Sequence, residues 1–255
     1  QAHGALSIVG LDGVTQCSET LEQLLAEVES GKVAATATVG ELAQRALTAI
    51  RHYLDEVASG MPNQTLKLLP VYRDMMASRG ADRIASSDLF YPDLSLRPPR
   101  RTDDSPSLAE GATAARLKAE RARFERGFLR WLRNAEDLGG VVEMREAVAA
   151  IEATQALPAA RAFWWVTLAL LDALANRQVS VDFHVKKLCA RIDLQMRRLL
   201  EGSKTVAERL MRDALYFVAV AQGGGEQVRK VKETYQLNTL VPTDTQDIEP
   251  LRPVL

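Results

Sequence analysis

The sequence predicts an all-α protein made of two tandem four-helix bundles packed together. Three observations carry that expectation. Apolar residues recur three and four positions apart through most of the chain. No segment alternates apolar and polar residues with period two between turn signals. The connections between successive helical runs are short, which favours antiparallel, up-down neighbours.

Val14, Cys17, Leu21, Leu24, Leu25 and Val28 form the first apolar stripe. Asp12 can cap that helix and Gly31 can end it. Leu42, Ala46, Leu47, Ile50, Tyr53, Leu54 and Val57 repeat the pattern up to Gly60. A third helix opens at Pro70, whose missing N–H costs little in a first turn. It carries Val71, Tyr72, Met75 and Met76 and closes at Gly80. Residues 81–106 break the pattern, because Pro92, Pro98 and Pro99 exclude a continuous helix. Their apolar residues predict an ordered loop strapped across a bundle.

A long helix is expected over 106–135, with Leu117, Phe124, Phe128, Trp131 and Leu132 on one side. Gly139-Gly140 reads as a break, which places the domain boundary there. The first bundle is therefore 1–138 and the second 139–240, with 241–255 a tail or linker. In the second bundle, helices are expected over 141–155, 158–176, 180–201 and 203–222, with a short one near 226–236. The 158–176 helix is apolar nearly all round, so it should be the buried centre.

Composition narrows the function. With 255 residues, 47% apolar and 25% charged, the chain is an ordinary folded protein of one large or two small domains. The net charge of −1 gives no long-range attraction to nucleic acid or anionic membrane. No uninterrupted apolar run reaches bilayer length, so no membrane insertion is expected. Cys17 and Cys189 read as buried free thiols, which suits a reducing cytoplasm. The chain opens on Gln1 rather than Met, so it is expected to be part of something longer.

Catalytic patterns are missing from the sequence. It has no phosphate-binding glycine loop, no nucleophile elbow and no paired-histidine zinc motif. No Glu precedes a His by three residues, as di-iron bundles require. No metal, cofactor or small-molecule substrate is expected. A phosphorelay bundle needs an exposed imidazole with a cation one turn on and a small neighbour for the partner to approach. His184 has Lys187 at that offset, but Leu188-Cys189 replace the small residue. It reads as an ordinary half-exposed histidine, with phospho-acceptor as the alternative. His52 is followed by Asp55 where a cation is wanted. The cations between Arg116 and Arg133 read as a solvated helix face interspersed with acids, with a face for an acidic partner as the alternative.

Residues 1–14 resemble the histidine-box helix of phosphotransfer domains, with Gly4 matching the family glycine and His3 where Lys is usual. The acceptor histidine would fall just before Gln1. Leu68–Asp74 with Arg79-Gly80, then Ser87–Leu94, resemble the N-terminal region of ChpA/PilL-type hybrid histidine kinases of type IV pilus systems. Ala159–Trp165, Leu188–Asp193, Ala207–Leu210 and Tyr216–Val218 continue the likeness, which extends to the stand-alone homologue FimL. The resemblance implies a histidine-phosphotransfer-like (Hpt-like) fold in both bundles. Phe163 and Trp164 would lie near the place of a phosphohistidine, so the second bundle would be degenerate.

The implied role is a non-catalytic, cytoplasmic scaffold, at the cell pole, for a chemosensory pathway controlling twitching motility. The alternative is an active histidine-phosphotransfer domain. Partners would be response regulators or a polar hub protein. Leu89, Phe90, Tyr91 and Asp93 are the candidate docking residues, weighed against a loop folded onto its own core, which is the more ordinary reading.

Overall fold

The computed structural model describes residues 11–101 and 110–243, with side chains in the second stretch from residue 113 on. Every α-helix expected from periodicity is present, and no strand occurs among the described residues. The chain divides into two compact units, residues 1–91 with 239–255 and residues 92–238.

The first unit holds helices α1 (Asp12–Glu29), α2 (Ala37–Ala58) and α3 (Leu69–Ser78) among its described residues. Two 3-10 turns accompany them, at Thr65–Leu68 and Ser86–Leu89. Each helix touches the other two. α1 buries Val14, Cys17, Leu21 and Leu24, the stripe its three-and-four spacing predicts. Leu25, expected on that stripe, is 47% exposed. Gly31, Gly60 and Gly80 follow the three helices at φ of 76°, 92° and 91°, the left-handed cap that glycine adopts without a Cβ penalty.

Polar ties fix the register of this unit. Arg79 donates from Nε and Nη2 to the Glu27 carboxylate at 3.2 Å each, joining α3 to α1. The Arg79 and Lys32 hydrogen bonds hold that carboxyl below its usual range. Tyr72 Oη donates to Asp88 at 2.7 Å and Arg73 donates to Ser86 Oγ at 2.6 Å, pinning the second turn to α3. Past residue 238 the chain rejoins this unit, where Gln64 donates to the Thr239 carbonyl at 3.1 Å.

The second unit holds α4 (Glu110–Arg133), α5 (Leu138–Thr154), α6 (Pro158–Ala175), α7 (Phe183–Leu200), α8 (Glu208–Val220) and α9 (Glu226–Thr234). α4 packs on α5, α5 on α6, α6 on α8, α8 on α7 and α7 back on α4, with α9 laid on α6 and α8. α6 is the expected centre, burying Phe163, Trp164, Trp165, Leu170 and Leu171. Side chains of that size each contribute roughly 1.5–3 kcal/mol when fully buried.

The domain cut expected at Gly139-Gly140 falls inside this second unit, and the long helix expected in the first bundle belongs here. The two glycines sit in the first turn of α5. Asp137 caps that turn, accepting from the Gly139 N–H at 3.1 Å. A Cβ on Gly140 would lie 2.5 Å from the Gly127 carbonyl oxygen, and one on Gly127 the same distance from the Gly140 oxygen. Glycine here brings two helix backbones together. A sequence pattern cannot tell that use from a flexible break, because both require only the missing Cβ.

Residues 92–101 of the strap lie along the second unit. Arg161, 5% exposed in the first turn of α6, donates to the Pro99 carbonyl at 2.7 Å. Its Nε also stands 2.7 Å from the Glu152 carboxylate, which Arg101 approaches at 2.8 Å. A buried guanidinium requires such partners, since an unpaired charge there is strongly destabilising.

Candidate functional site

His184 is the second residue of α7, in a first turn capped by Asp182, whose carboxylate accepts from the Val185 N–H at 2.9 Å. The imidazole is half-buried and packs edge-on against Phe183 at 5.5 Å between ring centroids. Lys187, expected one turn from it as a charge partner, leans over the Phe183 ring at 6.0 Å from the centroid. Leu188 does not crowd an outer face, as its bulk had suggested. It is 2% exposed, in the core beside the fully buried Cys189.

Phe163 and Trp164 meet edge-on at 5.1 Å and are each 2% exposed. They fill the core of α6 and present no surface. His52 is exposed on α2, 3.4 Å from Glu56. It lines a shallow depression of roughly 500 Å³ with Glu41, Gln44, Arg45, Thr48 and Ala49. His3 and Gly4 lie outside the described residues.

Of the docking residues expected in the strap, Leu89 and Phe90 are each 1% exposed. Their 3-10 turn packs on α1, so these side chains are core in this conformation. Tyr91 is half-buried and Asp93 exposed, its carboxyl held below the usual range by the Ser95 hydroxyl and N–H. The ordered strap that the apolar run beside prolines predicts is tied down here by Tyr72 and Arg73.

The basic run on α4 is partly spent on internal ties. Arg121 forks onto Asp193 of α7 at 3.1 and 3.2 Å. Arg123 pairs with Glu146 of α5, and Arg130 forks onto Asp137 at 2.6 and 3.0 Å. Arg116, Lys118, Arg126 and Arg133 are exposed. Asp213 of α8, 8% exposed, receives Arg191 at 2.5 Å and Arg209 at 2.8 Å. No group of three or more His, Cys, Asp or Glu among the described residues could hold a metal ion. No helix among them is long and apolar enough to cross a membrane.

The feature that periodicity did not reveal is a second stripe on α7. Phe183, Lys187, Ala190 and Leu194 are all exposed on its outer side. A count of apolar residues finds the buried stripe of Val185, Leu188, Cys189, Ile192, Met196 and Leu199 and stops there. Spacing of the exposed residues relative to that stripe was the signal available.

Among the described residues, both units are packed α-helices with short 3-10 turns, the build of a helical-bundle protein. Residues 109–248 match the model of the FimL scaffold protein second domain. The chain belongs to that family. It is also 28% identical over 250 residues to Scaffold protein FimL of Pseudomonas aeruginosa, covering 96% of this chain and 44% of that protein. The chain therefore spans less than half the length of this curated relative. No solved structure matches it.

Proposed function

We propose that this chain is a non-catalytic scaffold module that holds signalling proteins of a two-component chemosensory pathway controlling type IV pili and twitching motility. The family match over residues 109–248, to a domain of a scaffold protein, carries this reading. Geometry supports it. Where the phosphotransfer likeness puts reactive chemistry, Phe163 and Trp164 are packed into the core. His184 stands in a capped first turn with its would-be charge partner directed to a phenyl ring. The partners in this reading are response regulators or a polar hub protein, met in the cytoplasm at the cell pole.

The test is phosphate uptake. Purified chain is incubated with a receiver domain carrying labelled aspartyl phosphate. The expected outcome is no label on the chain and an unchanged rate of receiver dephosphorylation. Stoichiometric label that disappears in His184→Gln would replace the scaffold reading with an active phosphotransfer domain.

A further inference from the structure

We infer that the outer face of α7 is a docking seam for an acidic amphipathic helix of a partner protein. The inference rests on the scaffold reading and says where on this chain such a contact would form. Phe183, Lys187, Ala190 and Leu194 follow one another at intervals of four, three and four, and Arg197 and Glu201 continue the series. This is the spacing of a coiled-coil seam, and it runs along the side of α7 away from its buried stripe. Phe183 and Leu194 are each 44% exposed. Their eleven-residue separation is about 16 Å along the axis at ~1.5 Å per residue. One such residue would be ordinary surface, but two in register on one seam form a surface a helix can lie on.

Charge selects the occupant. Lys186 precedes and Arg198 follows at the flanking positions where paired helices place their recognition charges, on opposite sides of the seam. Lys187 stands within it. None of the three has an ion-pair partner among the described residues. Of the acids beside them, Asp193 is engaged by Arg121, Glu201 by Arg197 at 3.0 Å, and Asp182 by the Val185 N–H of its own cap at 2.9 Å. The seam therefore presents uncompensated positive charge beside apolar side chains. A second copy of the same face would set these cations against each other, which disfavours self-pairing. An acidic helix satisfies both the stripe and its flanks.

The probe is a labelled peptide of three heptads with leucine at the seam positions and glutamate at the flanks, used below its own association threshold. Controls are the same peptide with lysine flanks and a scrambled sequence of equal composition. Saturable binding of the acidic peptide alone is expected, weakened at least about tenfold (about 1.4 kcal/mol) in Leu194→Glu and in Lys186→Glu/Arg198→Glu. The charge-reversed double variant should gain affinity for the lysine-flanked peptide. Circular dichroism checks that both variants stay folded, as exposed positions should allow.

Equal binding of the scrambled peptide, or affinity unchanged in both variants, would overturn the seam. So would failure to bind any peptide, binding only to vesicles rich in anionic lipid, or dimerisation of the chain lost in Leu194→Glu. Each of these leaves the phosphate-uptake result untouched, so the seam can fail while the scaffold reading stands.

Discussion

Two buried thiols link single residues to solution behaviour. Burial pushes both Cys17 and Cys189 up from 9.0 to about 12. A folded-state value above the unfolded one stabilises fully below the unfolded value and is lost as pH rises toward the folded one. The window is therefore pH 9 to 12. The loss is roughly 1 kcal/mol per thiol by pH 10. Tyr53 and Tyr235, pushed from 10.0 to about 12 by burial, add to it at higher pH. Urea unfolding at pH 8 and pH 10 should show this alkaline loss, and the double variant Cys17→Ala/Cys189→Ala should show less of it. The native protein should resist thiol reagents at pH 8 until urea is added. Rapid labelling of native protein would show that these thiols are not enclosed.

At the scale of elements, the decisive contact is α4 on α5. Gly127 and Gly140 put backbone against backbone, and an added methyl group at either would meet a carbonyl oxygen 2.5 Å away. Gly127→Ala should destabilise the protein by about 1–3 kcal/mol, the range for forcing atoms into a packed interface. Gly40→Ala is the comparison, since nothing lies within 4 Å of a Cβ there. It should leave the urea midpoint unchanged or raise it, since helix propensity favours alanine by about 1 kcal/mol. Similar midpoints for the two variants would mean that the helices can separate at no cost. Helix existence was readable from periodicity, since each buried stripe repeats at the helical period. The Gly127–Gly140 crossing was not readable, because it pairs residues from two helices that no local pattern connects.

For the whole molecule, the division into units makes a prediction about cutting the chain. Residues 92–238 contain α4 to α9 and the part of the strap, 92–101, held by Arg161, Glu152 and Arg101. This fragment should be helical and melt cooperatively when followed by circular dichroism. A fragment beginning at residue 139 loses α4, exposes Gly140, Met144 and Asp193, and should melt broadly or stay insoluble. The reverse result would restore the boundary that the glycine pair suggests.

The sequence by itself determined the all-α class, the caps at Gly31, Gly60 and Gly80, the buried centre at α6 and the enclosed thiols. Each of these follows from local spacing or from one residue's own chemistry. It also carried the likeness to scaffold-type relatives. Only the tertiary structure decided that Gly139-Gly140 joins two helices, that Leu89 and Phe90 are core, and that Leu188 faces inward below His184. It also decided that Phe183, Lys187, Ala190 and Leu194 are exposed on the outer side of α7. Those facts depend on which faces meet across long stretches of chain. Burial is a property of the packed pair, whereas periodicity shows only that a helix has a face to bury.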